Sequence, residues 1–350
     1  MSSPESTPPD SRLSRPKQKI LWILIGVALV AAVVVGRKIA FSNSPQLIGP
    51  DDKALVNAAG AVVLSDFVQP ETRRWHTVPR GTQVCDHVTF ICDGAIRTAG
   101  VGGARDGNHY PGAVLGVPVN KRGARIHLLQ AAENSEGMTE GAAYGRLVLH
   151  YENGETRQLE LLFGIHGEDW LAKGNGRDPV ADPNTRPAWV QKRSGDGMFI
   201  RLYHTALENP LPEYGFTSVD FISPLREANL LLFALTIDDD PRPLAPSYGP
   251  GETLVDPGIE RIVFSLHDST GHPARGARLA WTVRGSRLRI DFPPFAANAE
   301  GEVIVEAPRR YVRQILYKAS ASDGSEASGT LNLRGLANTN VQLELESSEH

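Results

Sequence analysis

Cysteine and methionine are scarce in this chain, at two and three residues of 350. With only Cys85 and Cys92, at most one disulfide can form. The two lie seven positions apart, so on one straight strand they would point to opposite faces, beyond bridging distance. A bond requires a turn between them, at Asp86-His87; otherwise they are two buried thiols. Charge imbalance is lacking too. The formal net charge is −4, and no basic tract reaches the scale that binds a polyanion, so nucleic acid is not an expected partner. Long helical periodicity is absent, whereas Gly and Pro are plentiful at 34 and 25. That balance suits many short strands joined by tight turns.

Recognisable catalytic machinery is also missing. Tyr214-Gly215-Phe216 and Gly195-Asp196-Gly197 match no nucleophile elbow, and no Ser/His/Asp set stands out among the 10 histidines. Glycoside hydrolysis needs two carboxylates flanking the scissile bond. Glu160, Glu168, Asp169 and Asp220 are available, but spacing pairs none of them. His166 with Glu168 and Asp169, Asp238 to Asp240, and Cys85-Asp86-His87 with Cys92-Asp93 each gather ligand-type side chains. None has the spacing of a zinc or calcium site. No catalytic residue, metal or cofactor is assigned.

One long apolar run is present. Residues 20–36, ILWILIGVALVAAVVVG, carry no charged side chain and are bounded by Lys17 and Lys19 before, Arg37 and Lys38 after. As a helix they would rise roughly 25 Å, enough for the hydrocarbon core of a bilayer. A cleaved signal peptide would have a shorter apolar region and a small-x-small cleavage site. Here Val35 and Gly36 lead directly into Arg37 and Lys38, so an uncleaved signal-anchor is expected. Arg12, Arg15, Lys17 and Lys19 make the N-terminal flank the more basic one, which places residues 1–19 in the cytoplasm and the bulk of the chain outside, periplasmic or at the cell surface. The lipid bilayer is thus one expected partner.

The expected organisation is a disordered tail (1–19), a single transmembrane helix (20–36), a stem (37–60), a first module (61–240), a Pro-rich linker (241–257) and a second module (258–350). In the first module, Leu147, Leu149 and Tyr151 alternate with Arg146, Val148 and His150. Asn153-Gly154 then predicts a type I′ hairpin, with Leu159, Leu161 and Phe163 on the return strand. Residues 228–237, ANLLLFALTI, are apolar throughout and predict a central strand buried on both faces. The pattern predicts an antiparallel jelly roll. In the second module Ile262, Phe264 and Leu266, then Leu279, Trp281 and Val283, then Leu288, Ile290 and Phe292 form successive inward faces. About seven strands there predict an Ig-like sandwich. The fold class is all-β, two sandwiches behind one membrane helix.

The ordered series Trp75, Pro79 and Gly81, Val88-Thr89-Phe90, Tyr110-Pro111, Leu115 to Pro118, Ile126 to Ala132, Asp169-Trp170, Asn209 to Pro212 and Ala234-Leu235-Thr236 resembles the galactose-binding-like β-sandwich modules of bacterial surface proteins and glycan-degrading enzymes. The series Asp268, Gly271-His272-Pro273, Gly276-Ala277, Ala299-Glu300-Gly301 and Ser322-Asp323-Gly324 resembles the carboxypeptidase-regulatory-like or transthyretin-like β-sandwich. The first resemblance implies a carbohydrate-binding or silent jelly roll, the second an accessory or spacer domain. Within 164–170, Trp170 is the candidate stacking platform for a sugar ring, with His166 and Asp169 as its hydrogen-bonding neighbours. The competing reading has Trp170 cover the end of the core and Asp169 pin a turn. The functional expectation is an anchored, exported binding or structural protein that meets a glycan or an envelope protein. The alternative is an envelope hydrolase acting on glycans.

Overall fold

The computed structural model describes residues 51, 53–174, 176, 180–193, 195–240, 242–246, 259–334, 336 and 339–346. The expected tail, the 20–36 span, most of the stem and most of the linker lie outside them. No helix among the described residues is long and apolar enough to cross a membrane. The described residues all belong to one compact unit, Leu47–His350.

That unit is all-β. Its first half holds β1 (Ala61–Val62), β2 (Gly81–Cys85), β3 (Val88–Cys92), β4 (Ile96–Arg97), a short helix α1 (Val101–Arg105), β5 (Ala113–Lys121), β6 (Arg125–Glu133), β7 (Ala143–Tyr151) and β8 (Thr156–Leu162). There follow β9 (Leu171–Ala172), β10 (Thr185–Lys192), β11 (Phe199–Glu208), β12 (Phe216–Ile222) and β13 (Asn229–Asp238). One antiparallel sheet runs β1-β13-β6-β11-β10, with β4 beside β13 and β9 beside β11. A second runs β5-β12-β7-β8, and β2 and β3 form a separate hairpin.

The larger sheet is covered on both sides. Ile126, Leu128, Leu230 and Leu232 meet Val117, Leu147, Leu149, Val219 and Phe221 of the smaller sheet. Leu129, Ala131, Leu202, Leu231 and Phe233 lie under the β2–β3 hairpin, with Phe90, Cys85 and Cys92. This is why 228–237 has no polar alternation: a strand with two covered faces needs apolar side chains on both. A register shift between Leu232 and Ala234 puts Phe233 and Ala234 on the hairpin side, after which Leu235 returns to the other face.

Two turns invert the expectation from glycine. The β7–β8 turn is not type I′: Gly154 alone is left-handed (φ +83), Asn153 is not, and Asn153 instead accepts from the Glu155 N–H at 2.9 Å. Type I′ needs both central residues at positive φ. The β2–β3 turn does have both, at Asp86 (φ 48) and His87 (φ 64), without any glycine. Cys85 pairs with Val88 and Cys92 with Gly81, so the two cysteines sit at opposite ends of the hairpin, and both are free thiols. Burial pushes the Cys85 thiol up to about 12.

The second half holds β14 (Ile259–His267), β15 (Arg278–Gly285), β16 (Leu288–Ala296), β17 (Glu302–Pro308), β18 (Gln314–Ser320), β19 (Glu326–Asn332) and β20 (Asn340–Glu344). Sheets β17-β14-β20 and β16-β15-β18-β19 enclose Phe264, Leu279, Val283, Ile290 and Val305, on the inward faces expected. Strand β20 lies parallel to β14.

The two sandwiches share a seam. Ala99, Val101, Ala104, Ala113 and Leu225 of the first belong to the same apolar cluster as Trp281 and Phe292 of the second. At Gly112 a Cβ would meet the Phe292 ring at 2.5 Å, so the approach is open only to glycine. The Gly112 N–H donates to the Asp291 carbonyl at 2.7 Å. Around this seam Tyr311 donates to Glu227 at 2.5 Å, Arg105 pairs with Glu227, and Arg146 reaches Glu306 at 3.1 Å.

Candidate functional site

Beside the seam lies a cleft of about 390 Å³. Arg146 of β7, Gln158 of β8 and Ile222 of β12 form one wall; Arg261 of β14, with Ile304 and Glu306 of β17, forms the other. Its floor is aromatic. Trp281 stacks on Phe292 with centroids 4.7 Å apart and planes at 12°, and meets Phe295 at 4.8 Å. The sequence Phe292-Pro293-Pro294-Phe295 makes this arrangement. Neither proline has an N–H to give the ladder, and the β15–β16 register shifts here, Leu279 facing Phe295 and Trp281 facing Phe292. The bulge brings Phe295 alongside the indole.

Trp281 is buried, yet its Nε1–H has no hydrogen-bond partner among the described residues. A buried donor left unmatched costs about 1–3 kcal/mol. Above it Arg146 is shared between Glu160 and Glu306, each at 3.1 Å. Burial lowers the pKa of the Arg226 guanidinium, against the pull of Glu306 and Glu160. The cleft thus combines buried aromatic rings with an amide and paired ions, and the unmatched Trp281 Nε1–H is itself closed off from solvent.

The residues singled out from the sequence are placed elsewhere. Trp170 stacks on Trp75, centroids 4.8 Å apart, at the edge of the core under the hairpin. Asp169 accepts from Ser135 N–H at 3.0 Å, Ser135 O–H at 2.9 Å and Leu171 N–H at 2.9 Å. It pins the turn into β9. His166 is buried, its Nδ1 accepting from the Leu162 N–H at 3.0 Å, and burial lowers its pKa. Asp169 and Trp170 therefore share one turn, while the His166 ring points back to β8. The four carboxylates each have a donor of their own: Glu160 from Arg146, Glu168 from Arg201 at 2.7 Å, Asp169 from Ser135, and Asp220 from the Gly116 N–H at 2.7 Å. His150 also donates to Asp220 at 2.8 Å, which raises the imidazole's pKa. Among the described residues no group of three His, Cys, Asp or Glu could hold a metal ion.

One polar chain was hidden from sequence reading, because its members are 77 and 118 positions apart. His204 Nδ1 lies 2.6 Å from Asp86, and His127 Nδ1 lies 2.9 Å from His204 Nε2. Arg186 reaches Asp86 at 3.0 Å. With Asp86 accepting from His204 Nδ1–H, one proton bridges His204 Nε2 and His127 Nδ1. His127 Nε2 has no hydrogen-bond partner among the described residues and lies 3.6 Å from Asp238. Burial, then neighbouring His204 and Arg125, push the His127 pKa down to about 3. The chain ties the hairpin tip to β6, β11 and β10.

No family model matches this sequence. Transducin beta-like protein 3 of Bos taurus is 29% identical over 151 residues, 38% of this chain and 18% of that protein. The chain therefore spans less than a fifth of that relative's length. The pilus 2b backbone protein of group B streptococcus superposes at 9% identity and a TM-score of 0.19, covering 74% of this chain and 91% of that one. The TIE protein of Bacillus anthracis superposes at 8% identity and 0.19, covering 65% and 35%. The sandwich architecture is read from the sheets themselves, not from these superpositions.

Two outcomes follow from this geometry. Trp170→Ala opens the stack on Trp75 and is expected to cost about 3 kcal/mol, measured by chemical denaturation; an unchanged midpoint would contradict the packing role. For His127, the folded pKa lies below the unfolded value of about 6.5, so below that pH the unfolded chain holds the extra proton. Its contribution is present above pH ~6.5 and is lost as pH falls toward ~3, at up to about 1.4 kcal/mol per pH unit. Stability measured from pH 7 to 4.5 should fall less steeply in His127→Gln than in the parent chain, and parallel slopes would contradict this assignment.

Proposed function

We propose that this chain is a membrane-anchored, exported binding protein that takes a sugar-type ligand in the cleft between its sandwiches. The carrying observation is the cleft floor: Trp281, Phe292 and Phe295 lie together beside paired Arg and Glu, and the Trp281 Nε1–H has no acceptor among the described residues. Sugar rings offer apolar C–H faces for such a plane and hydroxyls for such donors and acceptors. The seam supports the reading, because a shared apolar cluster fixes the cleft's two walls relative to each other. The two-sheet first half and the four-plus-three second half are compatible with galactose-binding-like and carboxypeptidase-regulatory-like modules. The charge pattern around 20–36 supports the anchor and its orientation.

The cleft is tested on residues 47–350 by following tryptophan indole N–H resonances during titration with neutral and acidic oligosaccharides. The Trp281 signal should shift while those of Trp75 and Trp170 stay put. Trp281→Phe keeps a stacking ring but removes the donor, and should weaken binding about tenfold with little change in melting temperature. If no oligosaccharide moves Trp281 at millimolar concentration, the sugar reading fails. For topology, an export-dependent phosphatase fused after His350 should be active in intact cells. Activity confined to a cytoplasm-dependent reporter would reverse the orientation.

A further inference from the structure

A second concavity on the second sandwich has a different chemistry. A cavity of about 450 Å³ is lined there by Arg284, Arg313 and Arg334, with Ser286, Gln314 and Asn332. No acidic residue lines it. We propose that this cavity is a binding site for a multiply charged phosphate ligand, separate from the inter-sandwich cleft.

The fold assembles the site from three neighbouring strands. Arg284 faces Gln314 across the β15–β18 ladder, and Gln314 faces Asn332 across β18–β19. The Arg313 N–H donates to the Arg284 carbonyl at 2.7 Å, and the Leu333 N–H to the Arg313 carbonyl at 2.9 Å. Gln314 donates to Asn332 at 2.8 Å, which orients the Asn332 amide with its own N–H groups still to give. These bonds hold the three arginine-bearing segments side by side, at strand spacings of about 5 Å.

Three guanidiniums gathered into one cavity repel each other, and an oxyanion relieves that repulsion. Among the described residues none of the three has a carboxylate within ion-pair distance, whereas Arg289 is held by Asp291 at 3.3 Å and Arg309 by Glu260. Segments 284–288, 308–314 and 332–334 contain no Asp or Glu; the nearest acids are Asp291, whose pKa Arg284 helps lower, and Glu227, bonded to Tyr311. Arg287, at the β15–β16 turn, holds left-handed backbone (φ 71) in a position where glycine would be unstrained. The planar forks of arginine suit the oxygens of a phosphate bidentately, and three of them match a group carrying more than one charge. The near-neutral composition conceals this site, because its arginines are spread over 51 positions and converge only on folding.

The full chain is titrated by calorimetry with tripolyphosphate, a soluble polyvalent phosphate, and with glycerophosphoglycerol, the headgroup of an anionic lipid. Tripolyphosphate is expected to bind more tightly, with affinity falling as salt rises. Stronger binding of the headgroup would overturn the multiply charged assignment. Arg313→Gln should weaken binding about tenfold, and the combined Arg284→Gln, Arg313→Gln and Arg334→Gln chain should show none. All three side chains are exposed, and unchanged melting temperatures would confirm that the variants fold. Arg122→Gln, on the first sandwich, should bind as the parent does. The proposal is overturned if neither probe binds at 10 mM or if the triple variant binds as the parent does.

Discussion

Phe292 has almost no freedom, and much of the molecule's architecture depends on that. One face of its ring lies against Trp281, and its edge meets the bare backbone of Gly112. A hydrogen bond from Gly112 to the neighbouring Asp291 carbonyl holds the two segments at that approach. Because the contact is apolar, close and flanked by ion pairs, it orients one sandwich against the other without a shared strand. The inter-sandwich cleft is the space left beside that contact. Its walls come from different halves of the chain, so its width is set at the seam and not by either half alone.

Much of this fold could be read from alternation. The inward faces of β14 to β16 were visible as every second residue, and β13 was visible as a run without any polar break. The reason is burial: one covered face imposes period two, two covered faces abolish it. What alternation could not show was where a side chain serves both as core and as lining. Trp281 and Phe292 read as interior positions, and they are, yet the Pro293-Pro294 bulge opens their edges to a cleft. Trp170 carried the opposite ambiguity. Its neighbours Gly, His, Glu and Asp read equally as a binding loop or a turn, and in the fold Asp169 accepts from Ser135 and Leu171 while one face of the indole stacks on Trp75. The turns show a similar limit. Asn153-Gly154 carries a strong local signal and adopts a different turn, while Asp86-His87 carries a weak one and adopts the type I′ geometry. There His204 and Arg186 hold Asp86 and Asp51 accepts from the His87 N–H, which offsets the strain of two non-glycine residues at positive φ.

The charged groups divide by how they are satisfied. In the first sandwich, acids and bases are mostly matched locally, as with Arg97 and Glu133 at 2.6 Å, both buried. In the second sandwich Arg284, Arg313 and Arg334 line one cavity with no acid in its lining. A net charge near zero is therefore a sum over unlike regions, and it says little about any single face.

The parallel pairing of β14 with β20 bears on how the second sandwich would carry load. β14 is the strand by which the chain enters this sandwich and β20 the strand by which it leaves, and they are joined from Val263 with Asn340 to His267 with Glu344. A pull between the entry of β14 and the exit of β20 acts along both strands in opposite senses. The bonds between them lie across that direction, so they are sheared together and cannot open one at a time like a zip. A sandwich joined this way resists tension collectively.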